Sequence, residues 1–406
     1  MQWIIILLAS ADTLHINLEQ AKQLAVKANP EYKIEVLSNA YNKLNFYETI
    51  SSNILTPEIQ GDYSESDHSD DYKFEFSLNQ PVFDVQQVMS ILQSKSAMCA
   101  SGNLREEAKN KLFYAIESYY FSVLKTQRLV ELRQKAIESA SENMRLVEKK
   151  LRVDKASLLD SLNAEVELNR TKLDYSRSRK NYELAQKTLL SALGIYQCEL
   201  ILEPVEMEKP YTLLPLDTLI GIGLKKSPLI KTAQEEVKQN RLSLCTGITS
   251  LLPQLSFRWL WTYTTNTLPT SFSEIKDAAV KSSGWGGTLR VNLFSYPLEV
   301  GKAKTALSKS ELNLLNQRLQ VAKTVELAWL ECREASGNLT LVKSMFSAAE
   351  EATRLAKSQY EIGLISALDL FRVTTDRLEA EITYVATIYD YMLAKTKLQY
   401  AVGGEQ

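Results

Sequence analysis

Residues that break helices are scarce in this chain. Its 406 residues include only 14 Gly and 10 Pro, so long helices can run without interruption. Also missing is any run of about 18 apolar residues, the length a helix needs to cross a bilayer. A membrane span of this chain is therefore restricted to strands. Histidine occurs only at His15 and His68, and no P-loop, H-E-x-x-H or G-x-S-x-G is present. Gly284-Trp285-Gly286-Gly287 looks superficially like a phosphate loop, but it lies in a strand pattern and opens no helix. No enzymatic activity, metal site or cofactor is expected. Cys99, Cys198, Cys245 and Cys332 form no C-x-x-C pair and read as small buried apolar residues without a disulfide. A net charge of −2 gives no overall field that would draw in nucleic acid.

What is present is apolar and patterned. Hydrophobic residues make up 45% and charged residues 24%, a folded rather than a disordered composition. Trp3–Leu8 is a short apolar core followed by the small-x-small sequence Ala9-Ser10-Ala11, so residues 1–11 read as a signal peptide cleaved after Ala11. No Lys or Arg precedes Lys22, a departure from the usual basic start.

The chain is written twice. Leu18-Glu19 to Asn29-Pro30 matches Leu216-Asp217 to Ser227-Pro228. Towards the ends of the halves, Ser157 and Ser366, Asp160 and Asp369, Tyr182 and Tyr391, Ala185 and Ala394, Leu189 and Leu398, and Gly194 and Gly403 stand in one constant register. The repeats are 12–194 and 214–403, joined by a connector at 195–213 with Pro204 and Pro210, and followed by a tail at 404–406.

Each half reads as a short helix ending before proline, a second helix (Glu31–Ser52 or Leu229–Ser250), a strand pair, and a long helical hairpin. The strand pairs cover about 57–80 and 253–294. Tyr72, Phe74, Phe76 and Leu78 alternate with Lys73, Glu75 and Ser77. In the second pair Leu255, Phe257, Trp259, Trp261 and Tyr263 alternate with polar positions, as do Trp285, Gly287, Leu289, Val291 and Leu293. Period-two alternation puts these rows on opposite faces. The aromatic row, about 10 residues long per strand, has the length and composition of a lipid-facing strand wall. Ser64–Asp71 reads as a short acidic loop without EF-hand spacing, and Thr265–Gly284 as a longer mixed one.

The hairpin helices are predicted at Val85–Leu151 and Leu158–Leu193, and again at Leu298–Tyr360 and Ala367–Val402. The last carries two apolar seams. One is Leu368, Phe371, Thr375, Leu378, Ile382, Val385, Tyr389 and Met392; the other includes Ala380, Tyr384, Tyr391, Ala394 and Leu398. Two coiled-coil seams imply a neighbour on each side. The second helix of each half, stacked on the shorter hairpin helix, matches the long one in length. Four strands cannot close a membrane barrel, and open edges cannot face lipid. Other copies must complete the barrel, and three give twelve strands with room for a wet lumen.

Tyr360-Glu361-Ile362-Gly363-Leu364-Ile365-Ser366-Ala367-Leu368-Asp369 and the closing Tyr389–Ala394 and Ala401-Val402-Gly403 carry a family resemblance. With the duplication, they resemble the TolC-type outer-membrane efflux proteins over residues 16–403, where a Y-x-x-G-x-x-x-x-x-D turn joins the last two helices. The first half keeps a weaker copy at Leu151–Asp160, with Asp154 in the glycine's place. The resemblance implies a mainly α fold with a small β part. It implies a homotrimer in the outer membrane whose twelve-stranded β-barrel continues as a twelve-helix periplasmic α-barrel. It also implies docking to a periplasmic adaptor and an inner-membrane pump, and export of small molecules or proteins. Tyr360 matches a gate tyrosine, Asp160 an aspartate on the neighbouring hairpin, and Asp369 an acidic entrance ring. Gly363, Ser157 and Ser366 fall at the hairpin tips. Ile365 and Arg372 depart from the family's gate arginine and second ring aspartate. The competing reading is a periplasmic coiled-coil scaffold without a pore.

Overall fold

The computed structural model describes residues 13–52, 56–66, 69–153, 156–196, 198–205, 213–265, 280–290 and 296–404. The expected signal peptide, Asp154, His68 and the strand positions Val291 and Leu293 lie outside the described residues. The first half runs β1 (Thr13–Ile16), α1 (Leu18–Ala28), α2 (Pro30–Ser52), β2 (Thr56–Ser66), β3 (Ser69–Phe83), α3 (Val85–Leu151) and α4 (Leu158–Ala192). The second runs β4 (Glu199–Leu202), α5 (Leu216–Lys226), α6 (Pro228–Thr249), β5 (Gln254–Thr265), β6 (Val280–Arg290), α7 (Tyr296–Glu361) and α8 (Ala367–Val402). The two halves share one element order. At about 1.5 Å per residue, the 67 residues of α3 make a rod of roughly 100 Å.

The chain forms two compact units, each drawing on both halves. One comprises Met1–Ile34, Glu106–Ser227 and Leu319–Gln406. Its core packs Ala21 and Ala25 of α1, Ile116, Tyr120 and Val123 of α3, Leu189 and Leu193 at the end of α4, and Leu200 of β4. β1 and β4 pair in parallel there, Thr13 opposite Glu199 and Ile16 opposite Leu202. These four-residue strands fall below the length at which alternation can be read from sequence, and β4 occupies what reads as plain connector. Tyr120 is fully buried and donates its hydroxyl proton towards the Glu203 carbonyl at 2.7 Å. Burial pushes its phenol up to about 12.

Within this unit the hairpin helices have a definite lateral order. Arg133 of α3 meets Asp174 of α4 at 3.7 Å. Lys125 of α3 meets Asp390 of α8 at 2.6 Å, and Tyr114 of α3 stacks on Tyr400 of α8. Phe346 of α7 stacks on Tyr384 of α8, and Lys397 of α8 pairs with Glu331 of α7 at 2.6 Å. The order is α4–α3–α8–α7, and both seams of α8 are covered inside the chain, with Leu378, Ala380, Tyr391 and Leu398 buried.

The other unit comprises Glu35–Arg105 and Pro228–Arg318. It holds one antiparallel sheet in the order β2-β3-β5-β6, so β2 and β6 are its edges. The strands outrun the expectation: β2 and β3 extend through Ser66 and from Ser69, taking in most of the acidic segment read as a loop. Paired backbone prolongs a strand into charged residues that propensity alone assigns to a turn. Beside the sheet, Asn39 of α2 donates to Ser101 Oγ of α3 at 3.1 Å, and Ser96 of α3 donates to the Glu235 carbonyl of α6 at 3.0 Å.

Candidate functional sites in the sheet and at the helix tips

Strand register sorts the sheet into two faces. Phe76 stands opposite Ile59 on β2 and Trp261 on β5, Leu78 opposite Trp259, and Trp259 opposite Trp285. Directly opposed residues share a face. Tyr72, Phe74, Phe76, Phe257, Trp259, Trp261 and Trp285 therefore all lie on one side. Their rings touch across strands: Tyr63–Tyr72 at 5.0 Å, Phe76–Trp261 at 5.3 Å and Phe257–Trp285 at 5.9 Å. Phe74 lies over Gly61, the gap in this face on the edge strand. The face is open: Ile59 is 78% exposed, Trp285 75% and Leu289 67%. A soluble sheet would bury such a surface, since an apolar patch of this kind left in water marks contact with a partner or with lipid.

The other face carries Glu58, Gln60, Asp62, Lys73, Glu75, Ser77, Arg258, Thr262 and Arg290. Lys73 and Glu75 form a close ion pair, and Gln60 donates to Asp62 at 3.1 Å. Among the described residues no helix is long and apolar enough to span a membrane.

The two hairpin tips use one device. Ser157 is the N-cap of α4: its Oγ accepts from the Asp160 amide at 3.1 Å, while the Ser157 amide donates to Asp160 Oδ2 at 2.9 Å. Ser366 and Asp369 repeat this at the start of α8, with both bonds at 3.1 Å. These are reciprocal capping boxes. The hydrogen bonds from Ser157, backbone first, hold the Asp160 carboxyl below its ordinary range. For Asp369 the Ser366 hydroxyl is the leading cause, followed by the Ser366 amide. Asp369 is exposed and Asp160 half-buried, and both are already engaged with their own helix.

The end of α7 closes on Gly363 at φ +77, with the Leu364 amide donating to the Gln359 carbonyl at 2.8 Å and the Gly363 amide to the Tyr360 carbonyl at 3.0 Å. This is a Schellman closure, which needs a left-handed residue at the position glycine holds. The Tyr360 ring is exposed, and among the described residues its hydroxyl has no hydrogen-bond partner. Asp160 and Tyr360 are thus not joined within the chain; each caps or closes its own hairpin. Sequence reasoning set Leu368 in an α8 seam, where it stays exposed, and missed the other apolar residues at these tips. Leu158, Leu159 and Leu162 on one and Ile362, Leu364 and Leu368 on the other are all more than half exposed. Their signal was legible as apolar residues set where a helix starts or stops, outside any seam that the chain itself covers.

Two further apolar stripes remain open. On α4 they are Leu159, Leu162, Val166 and Leu173, and on α7 Leu330, Leu341 and Met345. These are the two outer helices of the α4–α3–α8–α7 row. On α2, Leu37, Tyr41 and Leu44 are similarly exposed. The cysteines are free thiols, and among the described residues no cluster of His, Cys, Asp or Glu has the makings of a metal site.

Comparison with known proteins agrees with this geometry. Residues 49–195 match the family described as outer membrane efflux protein. The chain is 20% identical over 372 residues to the outer membrane efflux protein BepC of Brucella suis biovar 1, covering 87% of this chain and 78% of BepC. Its fold superposes on the CmeC outer membrane channel of Campylobacter jejuni with a TM-score of 0.81 at 18% identity, over 95% of this chain and 85% of CmeC. The outer membrane protein VceC of Vibrio cholerae gives 0.80 at 13% identity, over 95% and 96% of the two chains. The match to the outer membrane efflux protein family thus lies in residues 49–195, and the fold of the whole chain is that of the solved outer membrane channels.

Proposed function

We propose that this chain is one subunit of a homotrimeric outer-membrane channel, the exit duct of a tripartite efflux or type I secretion system. The observation that carries the reading is the four-stranded sheet with an aromatic face, a charged face and two open edges. Lipid suits the first face and water the second. Open edges are untenable in lipid, so β2 of one copy pairs with β6 of the next. Three copies give a twelve-stranded barrel wide enough for solute. The open stripes on α4 and α7, at opposite ends of the helix row, supply the matching contact between copies. The row then repeats around a closed ring of helices.

In this reading Tyr72, Phe74, Phe76, Phe257, Trp259, Trp261 and Trp285 face lipid. Asp160, Tyr360 and Asp369 lie at the periplasmic entrance, with Ser157, Gly363 and Ser366 shaping the tips. The apolar tip residues meet the periplasmic adaptor, which links the duct to an inner-membrane pump. The duplication sets the repeats at 12–194 and 214–403, with an exported mature chain behind residues 1–11. Nothing in the aromatic sheet suits a scaffold without a pore.

The test is single-channel recording of detergent-purified protein in planar bilayers, comparing the unmodified chain with Asp369→Ala. The expected result is a stable pore that loses cation preference in the variant. A folded trimer that never conducts would overturn the channel; an indifferent pore would reduce Asp369 to a helix cap.

A further inference from the structure

The charged face of the sheet is graded along the strands. Arg258 on β5 stands level with Asn79 on β3 and Gly286 on β6. Arg290 on β6 shares that face and stands opposite Gln254, four residues nearer the end at which β3 runs into α3. Both arginines are exposed. Arg258 reaches Ser77 Oγ at 3.4 Å and, among the described residues, no carboxylate pairs with either guanidinium. The carboxylates of this face are committed elsewhere or lie further along. Glu75 is paired with Lys73, and Asp62 is held by Gln60. Glu58 stands level with Ser77 and Leu260, two residues beyond Arg258 and two strands away, roughly 12 Å. On the side of Arg258 towards the β6 edge, Gly284 and Gly286 leave the wall bare, with nothing within 4 Å of where a Cβ would stand. Among the described residues, the guanidinium thus has open wall on its β6 side.

Given the trimeric channel proposed above, on which this rests, we infer that Arg258 and Arg290 form a two-tiered basic collar inside the barrel that raises its permeability to anions, against the cation preference set at the acidic entrance. Closure by three copies brings six guanidiniums against three Glu58 carboxylates at this depth. An ion inside a twelve-stranded barrel passes within about one screening length of the wall, about 10 Å at 0.1 M salt, so that excess acts on it. The planar fork of arginine binds carboxylate and phosphate groups bidentately, so the favoured passenger is a small solute carrying such a group.

The test uses the full-length assembly in planar bilayers under a KCl gradient, with the reversal potential giving the chloride-to-potassium permeability ratio. Arg258→Ser combined with Arg290→Ser lowers that ratio on the order of threefold, and Arg258→Lys leaves it largely intact. Citrate, used as the probe anion, reduces the current of the unmodified channel and loses this block in the double variant. Arg258→Ser and Arg290→Ser singly carry the same test if the double variant does not assemble. A conducting double variant with unchanged ratio and unchanged citrate block overturns the collar and leaves the channel standing. Absence of any conductance in the unmodified trimer removes both.

Discussion

At the scale of single residues, Asp160 and Asp369 each spend their carboxylate on their own helix start. The spacing of Ser and Asp, three apart before an apolar run, is a capping box that can be read in the sequence. What the spacing does not tell is whether such an acid also reaches across to another hairpin, because that depends on how the tips are placed in space. The caps carry a pH consequence. A carboxyl depressed in the folded state stabilises it above the ordinary aspartate value, and the benefit disappears as pH falls through the lowered value. The α7–α8 turn is therefore expected to keep its hydrogen-exchange protection at neutral pH and lose it in acid. Ser366→Ala, which removes the leading hydrogen bond to Asp369, brings that loss to a higher pH. Exchange at the tip measured against pH in both proteins checks it; identical profiles would separate the cap from the titration.

At the scale of elements, the sheet was readable because its period is two and its apolar row is aromatic. Trp259, Trp261 and Trp285 fall on one face in sequence and in structure alike. Strand ends were less readable: Ser64–Ser66 and Ser69–Asp71 pair as strand although their composition is that of a loop. The long helices α3 and α8 match their sequence bounds because Gly102 is the one Gly or Pro within them. β1 and β4 escaped, since each is stabilised by the other across most of the first repeat. The two faces of the sheet differ in what they tolerate. Phe76→Lys puts a charge on the aromatic face, at a cost of about 2–4 kcal/mol if that position lies at the bilayer midplane. Thr262→Lys, on the polar face, costs far less. Heat-resistant trimer in the outer-membrane fraction is expected to be lost in the first and kept in the second.

At the scale of the whole molecule, function lies in surfaces that one copy leaves open. The α4 stripe of Leu159, Leu162, Val166 and Leu173 meets no seam among the described residues. Leu162→Asp with Val166→Asp is expected to release folded monomers in detergent, seen as a drop in particle mass with helical content retained. Unfolding instead would place those side chains in a core. The sequence by itself determined the duplication, the helix lengths and caps, and the division of the strands into two faces. All of these follow from local periodicity and from spacing along the chain. Only the tertiary structure decided that both seams of α8 are covered by α3 and α7, while α4 and α7 stay open outwards. It alone also set Arg258 beside Ser77 and the bare glycines of β6, with no carboxylate among the described residues near enough to pair. Register and lateral order join residues far apart in the chain, and no pattern of neighbours along the sequence specifies which of several similar helices packs against which.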